Sequence, residues 1–329
     1  MATILEAFGE LLSTSAARDI GRAVGLKPDL VPKGMALAGP LITTALAKKA
    51  TTSAGMADLM QLIPKDGLGS ILGNLGNLGN LVRGRPGTDV TTSIFGAGST
   101  AIGETLDRAA GFRVSLLLGI AAPLVLGLVG EAAAENKLGA NGIASMLAGE
   151  VDRFQKAGGE GVRLVQAALD AGRQAIELKG KYSPVQWDSV RLAPVAAAHV
   201  VMMADKSGPI GSLKEINAAA GVIDDAKRSA SPASLLRVAF ESDFSAAELS
   251  KYASGRTPAD ALATVRDAID VVERYNPSDA LQFRRLVADV ATRVANASKE
   301  GGVLGIGGTR VSTAEQAALD AVRTVTGQV

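Results

Sequence analysis

Helix-start signals recur through the second half of this 329-residue chain, and they leave little room for a fold that is not helical. Ser183-Pro184, Ser231-Pro232, Thr257-Pro258 and Asn276-Pro277 each set an N-capping side chain before a first-turn proline. Proline is tolerated there because a helix start leaves that N–H unbonded in any case. Ser212 with Glu215, Ser245 with Glu248, and Ser312 with Glu315 have the three-residue spacing of a capping box. In that arrangement each side chain accepts the other residue's backbone N–H. No segment alternates apolar and polar residues as a half-buried strand would. The expectation is an all-α chain.

The apolar share is 47% but aromatics supply only 3%, so a core must be built from Ala, Leu, Val and Ile. Small side chains of this kind suit helices packed backbone to backbone. The length favours two domains, each able to bury its own core. At the N-terminus, Ile4, Leu5, Phe8, Leu11 and Leu12 recur at helical spacing with Glu6 and Glu10 opposite. No basic head precedes an apolar run there, so a secretory signal is not expected. With no cysteine there is no disulfide framework, thiolate metal site or cysteine nucleophile, and a cytoplasmic location is expected. The formal net charge is +1, with bases and acids interleaved, which gives no electrostatic footprint for nucleic acid.

The longest charge-free run is Val114 to Gly130, "VSLLLGIAAPLVLGLVG", 17 residues with Pro123 and three glycines. At 1.5 Å per residue it spans about 25 Å as a helix, short of a bilayer core. A helix buried on all sides is the expectation. Insertion into a membrane is the alternative.

This run also belongs to an internal repeat. Arg22-Ala23, Gly25 and "AGPLI" from Ala38 correspond to Arg108-Ala109, Gly111 and "AAPLV" from Ala121. Each unit reads as a helix, a glycine turn, a proline-bearing apolar helix, then a short helix. Gly25 and Gly111 are expected at helix ends, and Pro40 and Pro123 are expected to start or kink the apolar helices. The two apolar segments should shelter each other. Between the copies lies the glycine-rich stretch 67–100, with Leu-Gly-Asn three times over. It shows neither a helical stripe nor β-branched alternation, and is expected to be a flexible connector.

Residues 16–155 resemble the YidB-like bacterial family of unknown function. The likeness rests on "IGRAVGL", "LAGPLITTALAKKA", the Gly/Leu middle and "LLLGIAAPLVLGLVGEA". It implies an all-helical fold of homeodomain-like topology with no assigned catalytic residue. Topology alone does not imply DNA binding. Lys and Arg number 13 in residues 1–155 against 13 Asp and Glu, which argues against it.

The domain plan that follows is a duplicated helical domain over 1–155, a linking helix over 156–183, and a helical domain over 184–329. In this last part, "VVMMADKSGPIGSLKEINAAAGVI" and "VANASKEGGVLGIGGTRVSTAEQAALDAVRTV" each end a helix, turn through glycine and restart at Ser-x-x-Glu. The pattern resembles the tellurite-resistance TerB-like family over about 184–327. That resemblance implies acidic residues at the turns associated with a divalent cation. The matching positions are Asp205, Glu215 and Glu315, while Ser298 stands where the family would have Asp. The competing reading gives Ser212 and Glu215 an ordinary capping role.

Other chemical candidates are sparse. His199, the only histidine, sits in an apolar helix and reads as a core or boundary residue. "GAGSTAIGE" and "GVLGIGG" follow no strand and supply no Walker Lys-Ser/Thr pair, so they read as caps and loops. Asp224-Asp225 and the acids of "ESDFSAAE" read as solvated helix surface. Trp187 with Met202 and Met203 is expected to anchor the C-terminal core. No nucleophile, base and orienting group can be assembled, and no cofactor is expected beyond the divalent cation of the TerB-like resemblance. The functional expectation is therefore a non-catalytic helical interaction or scaffold protein that self-associates or holds a protein partner. Two alternatives stand beside it: membrane-surface association through residues 114–130, and a cation-responsive stress module.

Overall fold

A computed structural model describes residues 3–12, 14–64, 85–204, 209–241, 252, 254–297 and 312–328, with backbone alone for 14, 85–88 and 209–214. All regular structure among the described residues is helical, and the fold is all-α. The chain divides into two compact units, Met1–Gln174 and Ala175–Val329.

The first unit contains α1 (Ile4–Glu10), α2 (Thr14–Val24), α3 (Leu30–Lys49) and α4 (Ser53–Leu62). Beyond residue 84 come α5 (Arg85–Phe95), α6 (Ser99–Ala110), α7 (Ser115–Glu135), α8 (Ala140–Ala157) and most of α9 (Gly159–Gly180). The division between units falls inside α9, within the segment read from sequence as a linking helix.

The core of this unit is built around α3 and α7, which pack on each other. α7 is also contacted by α1, α5, α6 and α8, and 12 of its 21 residues are buried. An apolar stripe on one side would not need so many neighbours; a helix apolar all round does. Glycine lets the layers close up. A Cβ at Gly39 of α3 would stand 2.8 Å from the Phe8 ring of α1, and one at Gly34 would collide with Leu117 of α7. The segments expected to shelter one another do pack together.

The turns into both apolar helices use left-handed glycine, with φ of +72° at Gly25 and +75° at Gly111. In both, a Cβ would be strained. Asp107 reinforces the second turn: its carboxylate accepts the Ser115 N–H at 2.7 Å and the Ser115 hydroxyl at 2.6 Å, capping α7 from α6. Of the two roles expected for the prolines, starting the helix is excluded: Pro40 and Pro123 lie in the interior of α3 and α7. Each removes one ladder hydrogen bond, a local cost that burial of the whole helix outweighs.

The Leu-Gly-Asn tract lies outside the described residues. The rest of the expected connector, 85–100, is not a connector: it forms α5, a 3₁₀ turn at Gly96–Gly98 and the start of α6. Pro86 and Gly87 stand in the first turn of α5, where a missing N–H is harmless, and Ile94 and Phe95 are buried in the core packed around α7. Burial of that apolar pair overrides the poor local propensity.

The second unit comprises α10 (Pro184–Ala204), α11 (Pro209–Ser229), α12 (Leu235–Ala239), α13 (Pro258–Tyr275), α14 (Pro277–Ala297) and α15 (Thr313–Thr326). α10 packs on each of the other five. Three starts match their sequence signals: Ser183 with Gln186, Thr257 with Asp260, and Ser312 with Glu315 exchange side-chain-to-backbone hydrogen bonds. Asn276 alone separates α13 from α14.

Two starts do not match. α11 begins at Pro209, so Ser212 lies inside the helix rather than capping it, and the Ser212–Glu215 capping box is corrected. α12 begins at Leu235, past Ser231-Pro232. Its first N–H is held from another helix, by Asp279 Oδ2 of α14 at 2.8 Å. The expected Trp187–Met202–Met203 anchor also changes. Trp187 is buried against Tyr182, ring centres 5.3 Å apart, whereas Met203 at the far end of α10 is 56% exposed.

Candidate functional site

α12 follows the C-terminal end of α11, and its Arg237 donates to the carbonyl of Lys227 there. Because Asp279 holds the other side of α12, the end of α11 lies beside the start of α14, and the two helices run in opposite directions. Between them runs an open groove of about 800 Å³. Leu236 and Leu286 form a buried apolar floor, while Asp225, Arg285, Asp289 and Arg293 are exposed on its walls.

The α14 wall has a regular charge pattern. Arg285, Asp289 and Arg293 follow one another at four-residue intervals, so they share one helix face about 12 Å long. Comparable neighbours elsewhere do pair: Arg173 with Asp170 at 2.9 Å, Lys227 with Asp224 at 3.3 Å, and Arg228 with Asp225. Arg285, Asp289 and Arg293 form no ion pair among the described residues. An exposed pair of this spacing contributes only about 0.3–0.5 kcal/mol, so little holds these side chains to each other rather than to something in the groove.

A second polar cluster lies where α10, α12, α13 and α14 begin or end. Asp279 Oδ2 accepts Leu235 N–H and, at 2.9 Å, Asn276 Nδ2. Lys181 Nζ donates to Asn276 Oδ1 and the Tyr275 carbonyl, both at 3.4 Å. Tyr182, packed on Trp187 and edge-on to Tyr275, has its phenol pushed up to about 12, first by burial and then by the Asp279 charge. This cluster joins helix ends, and its chemistry is that of a structural knot.

The residues singled out for a cation are not brought together as a set. Asp205 lies outside the described residues, as does Ser298. Glu215 is buried in the second turn of α11. Glu315 is buried at the start of α15, where its Oε2 accepts the Ser312 N–H at 2.7 Å. Among the described residues no three His, Asp or Glu side chains are grouped to hold a metal ion. His199 is buried, with Nε2 3.2 Å from the Arg256 carbonyl and its ring edge-on to Tyr252. Asp224 and Asp225 are engaged by Lys227 and Arg228. "GAGSTAIGE" forms the 3₁₀ turn and first turns of α6, while "GVLGIGG" lies outside the described residues.

The groove was missed from sequence. Its charge stripe is legible in "RRLVADVATR", but the stripe becomes a wall only when α11 is laid beside it.

What these features define is an all-helical, two-unit protein with a polar-rimmed groove in its second unit. Residues 7–132, from α1 into α7, match a family described as "Bacterial protein of unknown function (DUF937)". This stretch overlaps residues 16–155, where the YidB-like resemblance lies. No curated protein and no solved structure gives a match.

Proposed function

We propose that the chain is a non-catalytic helical interaction protein that acts by self-association in the cytoplasm. The observation that carries this reading is the α11–α14 groove, an apolar floor with charged walls whose α14 stripe has no ion-pair partner within the described chain. A concave surface with charged walls suits a protein segment, with charge setting register and choice of partner. The first unit supplies a densely packed body. Its matched order of helix, left-handed glycine and proline-bearing helix supports a duplicated YidB-like unit, and the restart of α15 at Ser312 and Glu315 supports a TerB-like second unit. Light scattering over about a hundredfold range of concentration tests the proposal, since association follows mass action. An oligomer that dissociates on dilution is expected; a monomer throughout refutes it.

A second reading is supported by α7. Its most apolar 18-residue window has mean hydropathy 2.0, and its 21 residues extend about 31 Å, the thickness of a hydrocarbon core. α3, 20 residues long with a best 18-residue window of mean hydropathy 1.3, is the second helix of this kind among the described residues. Both are 61% buried over their most apolar window, so reaching a bilayer would require the first unit to open. Flotation with anionic liposomes tests it: protein left wholly at the bottom of the gradient rejects membrane association.

A further inference from the structure

The charge stripe on α14 is complementary to itself. Written along the helix it reads plus, minus, plus, at Arg285, Asp289 and Arg293. Two such stripes laid antiparallel about a two-fold axis midway between 285 and 289 bring Arg285 of each copy onto Asp289 of the other. The closed two-fold contact that results is the commonest geometry of homo-oligomers, in which residue i meets j and j meets i. A stripe of one sign would repel its copy in the same position.

We propose that the α14 wall of the groove is the self-association surface, with a second copy of this chain as its occupant, and this rests on the self-association reading. Three observations converge on it. The three charges are exposed and line the groove, they make no ion pair within the described chain, and their order is the one that a two-fold axis pairs correctly. Leu236 and Leu286 beneath them are already buried, so the contact draws on the charge pairs rather than on these side chains. Arg293, one turn beyond the paired charges, adds a positive rim. Because the pairs are reciprocal, salt should weaken the dimer by screening them.

Two variants of the full chain test this. Arg285→Asp combined with Arg293→Asp makes the stripe wholly acidic, and Asp289→Arg makes it wholly basic. All three positions are exposed, so both proteins should fold, which circular dichroism checks. In analytical ultracentrifugation the wild type should dimerise, and each variant alone should dimerise at least about tenfold more weakly because like charges now face each other. An equimolar mixture of the two variants should recover a dimer. If each variant associates as the wild type does, the α14 surface is refuted while self-association stands. If both are weakened but the mixture does not recover, the reciprocal pairing is refuted. If the wild type is monomeric at every concentration, this proposal and the self-association reading fall together.

Discussion

Replacing Asp279 with alanine tests how the second unit is tied together. One oxygen of this carboxylate accepts the Leu235 N–H at 2.8 Å and the Asn276 amide at 2.9 Å. Hydrogen bonds to a charged acceptor contribute about 1.5–3 kcal/mol, and an orphaned part-buried donor adds its own cost. Solvent competes for the Asn276 amide, so the expected loss is about 2–3 kcal/mol rather than the sum of two full bonds. α12 has only five residues, four of them buried, and cannot hold its first turn unaided. The measurement is urea denaturation followed by far-UV circular dichroism.

A second readout separates the charge from the packing. Tyr182 is pushed up from 10.0 to about 12, by burial first and by the Asp279 charge second. Removing the charge should lower that value while burial keeps it above the ordinary one, as an absorbance titration of the phenolate would show. The raised value has a sign for stability as well. The folded state holds the Tyr182 proton more tightly, so its contribution is complete below pH 10 and is lost as pH rises from 10 towards 12. Should Asp279→Ala cost under about 0.5 kcal/mol, within the range of an ordinary surface substitution, the tying role assigned to this carboxylate is wrong.

Other expectations concern mainly the first unit. Gly39→Leu drives a side chain into Phe8 and should lower the thermal midpoint, with a cost of about 1–3 kcal/mol from overpacking; an unchanged melt would mean α1 sits elsewhere. Glu150, buried at 2% exposure, accepts the Leu5 N–H at 3.3 Å and pairs with Arg153, so Glu150→Ala should destabilise by about 1–3 kcal/mol and speed hydrogen exchange in α1. Leu126→Ala opens a cavity in α7 worth about 2–5 kcal/mol by denaturant titration. Glu6 and Asp260 are both held below their ordinary values by hydrogen bonds from their N-cap threonines, Glu6 chiefly from the Thr3 backbone and Asp260 chiefly from the Thr257 hydroxyl. Their contributions are present above the unfolded values of 4.5 and 3.8 and should fade as pH falls below these, measured as a falling midpoint in acid melts.

The sequence by itself determined the helical class, the glycine turns at Gly25 and Gly111, and the caps at Ser183, Thr257 and Ser312. These depend on a residue and its neighbours within one turn: a missing Cβ that tolerates positive φ, or an oxygen placed to meet an N–H three residues on. It also determined that two proline-bearing apolar helices needed cover, because no exposed helix reads apolar all round. Only the tertiary structure decided where that cover comes from. Pro40 and Pro123 stay in mid-helix because burial along α3 and α7 outweighs one missing hydrogen bond each. Arg85–Phe95 is helical because Ile94 and Phe95 are buried in the core around α7, though its own residues read as linker. α12 starts at Leu235 because Asp279, 44 residues away, supplies the acceptor. The groove is of the same kind: Arg285, Asp289 and Arg293 are an ordinary charged helix face until α11, running the other way beside them, makes that face a wall.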